Sequence, residues 1–282
     1  MAEEESLKNL VPARTELTPR HREALRWAHR LLECPGFLAR LTGKLGKPIE
    51  KFFELLPDPW RRGMHRSVQT SLERTLAIAV VSLGSTRRRR PSIQYHKALG
   101  MVSGAAGGLF GLPAVMAELP VTSTIILRSI ADIARSHGED LRDPETRLAC
   151  MEVFALGGRS PEDDAVDAGY YGVRLALGMH LSHVSERVAT QGIVRVSPPG
   201  MVRFIAEVAG RFGVVVTQKA AMQMVPLLGA GAGSLINLAF IEHFQDIARG
   251  HFTIRRLERI YGTELMRVEY AKLKQELTAR AS

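Results

Sequence analysis

Apolar residues return at helical spacing between Pro19 and Glu33, where Leu25, Ala28, Leu31 and Leu32 stand among Arg and His residues. That stretch is predicted to be an amphipathic helix with one face for a core and one for solvent. Cys34-Pro35-Gly36 breaks the pattern. Phe37 to Leu56 is apolar and basic by turns, and Gly43, Gly46 and Pro48 divide it into two shorter predicted helices. From Pro59 the chain becomes apolar and ends in the uncharged run Thr75 to Thr86, too short to cross a bilayer, followed by Arg87 to Arg90 and Pro91. Two longer uncharged runs follow. The first is Ala98 to Ala117, with apolar character continuing beyond Glu118 from Leu119 to Leu127; the second is Ala220 to Ile241, bounded by Lys219 and Glu242. Both reach the length at which spanning has to be considered. Helices with mixed surfaces are predicted over Pro144 to Leu156, Pro161 to Ala189 and Pro199 to Phe212, and a charged terminal helix from Thr253.

Helix starts are marked by a capping residue followed by proline at Thr18-Pro19, Asp58-Pro59, Asp143-Pro144, Ser160-Pro161 and Ser197-Pro198. The cap oxygen accepts an orphan amide hydrogen, and proline lacks the donor that would be unpaired there anyway. These signals predict an all-α fold, a single multi-helix bundle-like domain with glycine/alanine-rich central helices. Asp132-Ile-Ala-Arg135 is echoed by Asp246-Ile-Ala-Arg249, each just beyond a long uncharged run. A duplicated helix-pair unit would explain the echo; so would chance.

Glycines punctuate both runs, as Gly100-xxx-Gly104 and Gly107-xxx-Gly111 in the first and Gly229-xxx-Gly233 in the second. A glycine stripe lets another backbone approach closely, in lipid or in a core. Alanine and glycine contribute little transfer free energy, and Pro113, Glu118 and Pro120 interrupt the first run. Three readings follow: spanning helices, a hairpin dipping into one leaflet, or a core packed from small residues. In each, the runs are expected to pack on each other through their glycine faces and to gather Glu118, Arg128, Asp132, Lys219, Asn237, Glu242 and Asp246. Charges beside a low-dielectric region must pair, snorkel or serve a function.

Charge changes the picture at the N-terminal end. The formal net charge is +9, and residues 1–90 hold 18 Lys/Arg against 10 Asp/Glu, whereas residues 91–282 are nearly balanced. A basic helical N-terminal extension over 1–90 is therefore expected, suited to phosphate-bearing partners. Arg87, Arg88, Arg89 and Arg90 are candidates for membrane-surface contact. Nucleic acid is not expected as a partner, because no fold signature or stacking motif accompanies the charge. Cys34 and Cys150 fit no metal-ligand spacing or disulfide framework, and Met1 to Lys8 has no apolar leader, so a reducing cytoplasmic setting is expected.

Candidate chemistry is thin. His180, His183 and Glu186 share one stretch of predicted helix but lack the His-Glu-x-x-His pattern, and Glu162, Asp163, Asp164 and Asp167 follow Ser160-Pro161, where carboxylates favour a helix N-terminus. No phosphate loop, nucleophile elbow or dinucleotide fingerprint is present. No catalytic residue, metal site or cofactor is assigned.

Gly111-Leu-Pro-Ala114, Glu118-Leu-Pro120, Arg128 and Asp132-Ile-Ala134 resemble the central motif of the EcsC family of bacterial proteins. So does the stretch of Lys219, Pro226, Gly229-Ala230, Gly233, Asn237, Phe240, Ile247-Ala-Arg-Gly-His-Phe252, Arg256-Leu-Glu258 and Tyr261-Gly262. The resemblance runs from about Ala98 to Tyr270 and places an EcsC-like helical domain at 91–282. It implies a bacterial setting, cytoplasmic or at the inner face of the cell membrane, and supplies no catalytic residues. The expected function is a membrane-associated, non-enzymatic accessory or scaffold linked to transport or secretion, with an anionic membrane surface or a membrane protein as partner. The alternative is a helical enzyme or a small-molecule or lipid binder, using Glu118, Arg128, Asp132, Lys219, Asn237, Glu242 and Asp246 as a charged site between the glycine-rich helices.

Overall fold

A computed structural model describes residues 16–33, 63, 66–72, 74–75, 93–110, 112–158, 169–181, 199–223 and 229–281. The helices are α1 (Pro19–Leu32), α2 (Ile93–Phe110), α3 (Leu112–Ser136), α4 (Pro144–Gly157), α5 (Tyr170–Leu181), α6 (Pro199–Gln223), α7 (Gly229–Tyr261) and α8 (Thr263–Ala281). The fold is all-α, and the described residues contain no strand.

Two of the proline-marked starts act as the sequence predicts. Thr18 caps α1 by accepting from the His21 amide at 3.3 Å, and Asp143 caps α4 by accepting from the Glu145 amide at 3.1 Å. Asp58, Ser160 and Ser197 lie outside the described residues.

The long uncharged runs are divided differently from their sequence reading. The first is split between the end of α2 and the start of α3, and the second between the end of α6 and the start of α7. No helix among the described residues is long and apolar enough to cross a membrane. Helix α6 continues past Phe212 to Gln223, carrying Lys219 into the core. The expected terminal helix from Thr253 is instead the end of α7, after which the chain turns at Gly262 into α8. Uniformly apolar sequence has no period to mark an end, so these limits are set by tertiary packing.

Helix α7 is the central element and packs against α1, α2, α3, α4, α6 and α8. Its middle carries Phe240 and Phe244 into a cluster with Phe154 of α4 and Phe212 of α6, with ring centroids 4.8 to 6.0 Å apart. Such pairs each add about 0.5–1.5 kcal/mol beyond the area they bury. Its C-terminal half receives α1: Leu25, Ala28 and Leu32 are buried, and Leu32 and the Ala28 carbonyl lie against Gly250. The α3–α4 turn is tied down by Glu139, which pairs with Arg255 at 3.1 Å and with Arg259. Burial would raise the Glu139 carboxyl, but the two guanidinium groups outweigh it and hold the acid below its usual range.

Helices α2 and α7 approach closely at Gly100. A Cβ there would stand 1.9 Å from Ile241 Cδ1, so only glycine fits without displacing that side chain. The Asn237 amide donates to the Gly100 carbonyl at 2.5 Å, and the Ser234 hydroxyl donates to the Met101 carbonyl at 3.0 Å. Here Gly100 of α2 meets Asn237 and Ile241 of α7, a small residue against larger side chains.

Candidate functional site

Two polar centres lie inside this helical frame. The first holds residues singled out by the sequence, on α2, α3, α6 and α7. Lys219 is fully buried on α6, and its ammonium donates to Glu118 Oε1 of α3 at 3.0 Å, an oxygen that also accepts from the Thr122 hydroxyl at 2.8 Å. The same ammonium lies 5.0 Å from the centroid of the Phe240 ring. Burial lowers the Lys219 pKa, and the Glu118 carboxylate works against that shift. Glu118 Oε2 is buried and has no hydrogen-bond partner among the described residues.

The remaining acids are paired one by one. Asp132 meets His96 Nε2 at 3.1 Å and Arg135 at 3.3 Å; Glu242 accepts from Lys97 at 2.7 Å; Asp246 pairs with Arg249 at 2.9 Å. The repeated Asp-Ile-Ala-Arg motif is thus used the same way twice, as an i,i+3 ion pair on α3 and on α7. Arg128 is exposed on α3. Gln245 of α7, which the sequence reading passed over, donates to the Ser129 hydroxyl of α3 at 2.8 Å. Glu118 and Asp132 stand fourteen positions apart on one helix, about 21 Å by helical rise. Six of the seven residues therefore make local contacts along neighbouring helices, Arg128 stands apart from them on the surface, and the set does not converge on one point. Arg87 to Arg90, His183, Glu186, Glu162, Asp163, Asp164 and Asp167 lie outside the described residues; His180 is half-buried on α5.

The second centre has no counterpart in the sequence reading. It joins Glu152 of α4, Tyr170, Tyr171 and Arg174 of α5, and His251 and Glu258 of α7. Arg174 Nη1 donates to Glu258 at 2.7 Å and to the Tyr170 hydroxyl at 3.2 Å; Tyr171 donates to Glu258 at 2.9 Å; His251 Nδ1 lies 3.0 Å from the Tyr170 hydroxyl. The guanidinium also lies over the Tyr170 and Tyr171 rings, at 5.3 and 5.7 Å. Burial drives the His251 imidazole well below its ordinary value and pushes the Glu152 carboxyl up, so both groups are biased to their neutral forms. Glu152, Arg174 and His251 are far apart in the chain and share no motif spacing; the only signal is a histidine beside the apolar residues Ile247, Ala248 and Phe252. Cys150 lies nearby in sequence, but burial raises its thiol pKa and leaves it an inert core residue.

Comparison with known proteins gives one match. The model of the EcsC protein family matches residues 19–257 of the 282, a region that takes in α1 through most of α7. No curated protein and no solved structure matches the chain.

Proposed function

The chain belongs to the EcsC protein family, and within that family we propose that it is a non-enzymatic accessory protein that docks on the anionic inner face of the cell membrane. The observation that carries this reading is the outer face of α1. Arg20, Arg22, Arg26 and Arg30 are all exposed there beside Trp27, while Leu25, Ala28 and Leu32 hold the opposite face to the core. None of the four guanidinium groups pairs with a carboxylate among the described residues. Glu23 is the one exposed acid on the helix. A rigid helix presenting unpaired arginines and an indole suits a surface of lipid phosphates and headgroup-level apolar contact. Each basic residue near such a surface contributes about 1 kcal/mol at most, so four give a useful but salt-sensitive attraction.

The state of the first polar centre supports the same side. Its acids are each matched by a neighbouring cation or imidazole, and Lys219 has no exposure to solvent. Mutually neutralised charges fit a structural role better than a ligand site between the glycine-rich helices. A second contribution comes from Leu99 and Met101 of α2 and Leu235 of α7, exposed apolar side chains beside the α2–α7 contact. Flotation of the full chain with vesicles tests the proposal: co-flotation with vesicles containing anionic lipid, much weaker with purely zwitterionic ones and reduced by salt, is expected. Equal recovery with both, or none with either, would contradict it.

A further inference from the structure

The arginines on the outer face of α1 follow a pattern that a merely basic surface does not need. Arg22, Arg26 and Arg30 stand at i, i+4 and i+8, all exposed, so they form one row with successive members about 6 Å apart. Like charges at this spacing repel one another. Arg20 and Arg22 add to the cost, because the first turn of α1 holds no acid and positive charge is disfavoured at that end of a helix. Glu23, three positions before Arg26, pairs with none of these arginines among the described residues. The helix is also held at both ends. At its start the Tyr261 hydroxyl accepts from the Thr18 amide at 3.3 Å and lies 2.8 Å from His21 Nδ1. At its end Glu33 accepts from the Tyr270 hydroxyl at 2.8 Å and from the Tyr170 amide at 3.3 Å. The row therefore keeps its spacing, and its repulsion is left for an anion from outside the chain to offset.

The spacing of the forks selects among phosphates. A guanidinium engages a phosphate best through two parallel N–H···O bonds to two of its oxygens. Two such forks on one phosphate need two different oxygen edges, and hence three oxygens free of ester links. A phosphodiester headgroup has two free oxygens and one negative charge. A phosphomonoester has three, and close to two negative charges at neutral pH. Arginines four positions apart match the monoester both in acceptors and in charge; a diester leaves one fork of each pair incompletely engaged. The geometry points to a lipid with a terminal phosphomonoester, of the phosphatidate type, as the headgroup taken by the row of Arg22, Arg26 and Arg30, with the phosphate set between successive arginines. This rests on α1 being the docking face and names the lipid chemistry that the face selects. Arg20 is two positions from Arg22 and so stands off the row, where it supplies charge alone.

Binding of the full chain to zwitterionic vesicles doped either with phosphatidic acid or with phosphatidylglycerol tests this. The two sets are adjusted to the same zeta potential, near neutral pH and at physiological ionic strength, so that total surface charge is not the variable. Affinity for the phosphatidic acid vesicles about fivefold higher is expected, a modest factor because the contact is exposed. R26K keeps the charge at the centre of the row but loses the fork, and it should bring the preference below about twofold. R20K, off the row, should leave the preference as it is. Both positions are exposed, and circular dichroism checks that the variants keep the helical fold. Equal affinity of the wild-type chain for the two sets would overturn the headgroup assignment and leave the docking face standing. A preference that R26K retains in full would overturn the assignment too. Binding to neither set would remove the docking face itself, and the headgroup with it.

Discussion

Lys219 reaches the core on a helix that carries no acid near it, and its charge is met from α3 by Glu118. A buried pair of this kind costs much of its Coulombic gain in desolvation, and its removal as a pair is often neutral or stabilising. Losing one partner is different, because the other charge stays behind uncompensated. K219M is therefore expected to destabilise the protein by about 3–5 kcal/mol in urea unfolding, with the E118L/K219M double variant much closer to wild type. A K219M chain as stable as wild type would show that the pair contributes nothing. His251 makes a second prediction at this scale. Its pKa in the folded chain lies well below the ordinary 6.5, so below pH 6.5 the unfolded chain takes up a proton that the folded one refuses. Its stabilising contribution is full above pH 6.5 and is lost as pH falls towards the folded value, with a slope approaching about 1.4 kcal/mol per pH unit. Unfolding at pH 7 and pH 5.5 should show a smaller loss in H251F than in wild type; identical losses would place that histidine's titration elsewhere.

Among the elements, α2 and α7 make a close approach at Gly100. G100A puts a methyl group against Ile241 Cδ1, and the expected cost is about 1–3 kcal/mol, the usual range for overpacking a core. I241V removes that Cδ1 atom, so G100A made in I241V should cost clearly less, a coupling that a double-mutant cycle in urea measures directly. Additive effects would mean that the helices part instead of repacking. The same elements show what the sequence can and cannot reveal. Helices α1 and α4 were legible because Thr18-Pro19 and Asp143-Pro144 mark their starts with local chemistry, and the start of α1 is joined to a clear apolar period. The break between α2 and α3 and the extension of α6 to Gln223 were not, because a run apolar on every side has no preferred face and ends only where packing ends it. Glu118 and Lys219 were legible as charges at the edges of apolar runs expected to come together; that these two of the seven choose each other across 101 positions was not. Glu152, Arg174 and His251 carried no spacing at all, since the centre they make exists only once α4, α5 and α7 are packed.

At the scale of the whole molecule, a helical body carries an α1 surface whose arginines have no carboxylate partner among the described residues. The C-terminal half of α7 fixes that helix in place, so its arginines and indole meet a partner from one pre-formed backbone, and only their side chains are left to order on contact. Replacing Arg20, Arg22, Arg26 and Arg30 together by Gln is expected to leave folding intact, since all four are exposed, and to remove most of the preference for anionic vesicles seen in flotation. A variant that floats like wild type would move the docking face to another part of the chain. The measurement that reaches this claim most directly is the fluorescence of Trp27 in a W60F chain mixed with anionic vesicles whose acyl chains carry bromine near the headgroups. A blue shift and bromine quenching that disappear in high salt are the predicted result; unchanged, unquenched Trp27 emission from protein that has bound the vesicles would contradict it.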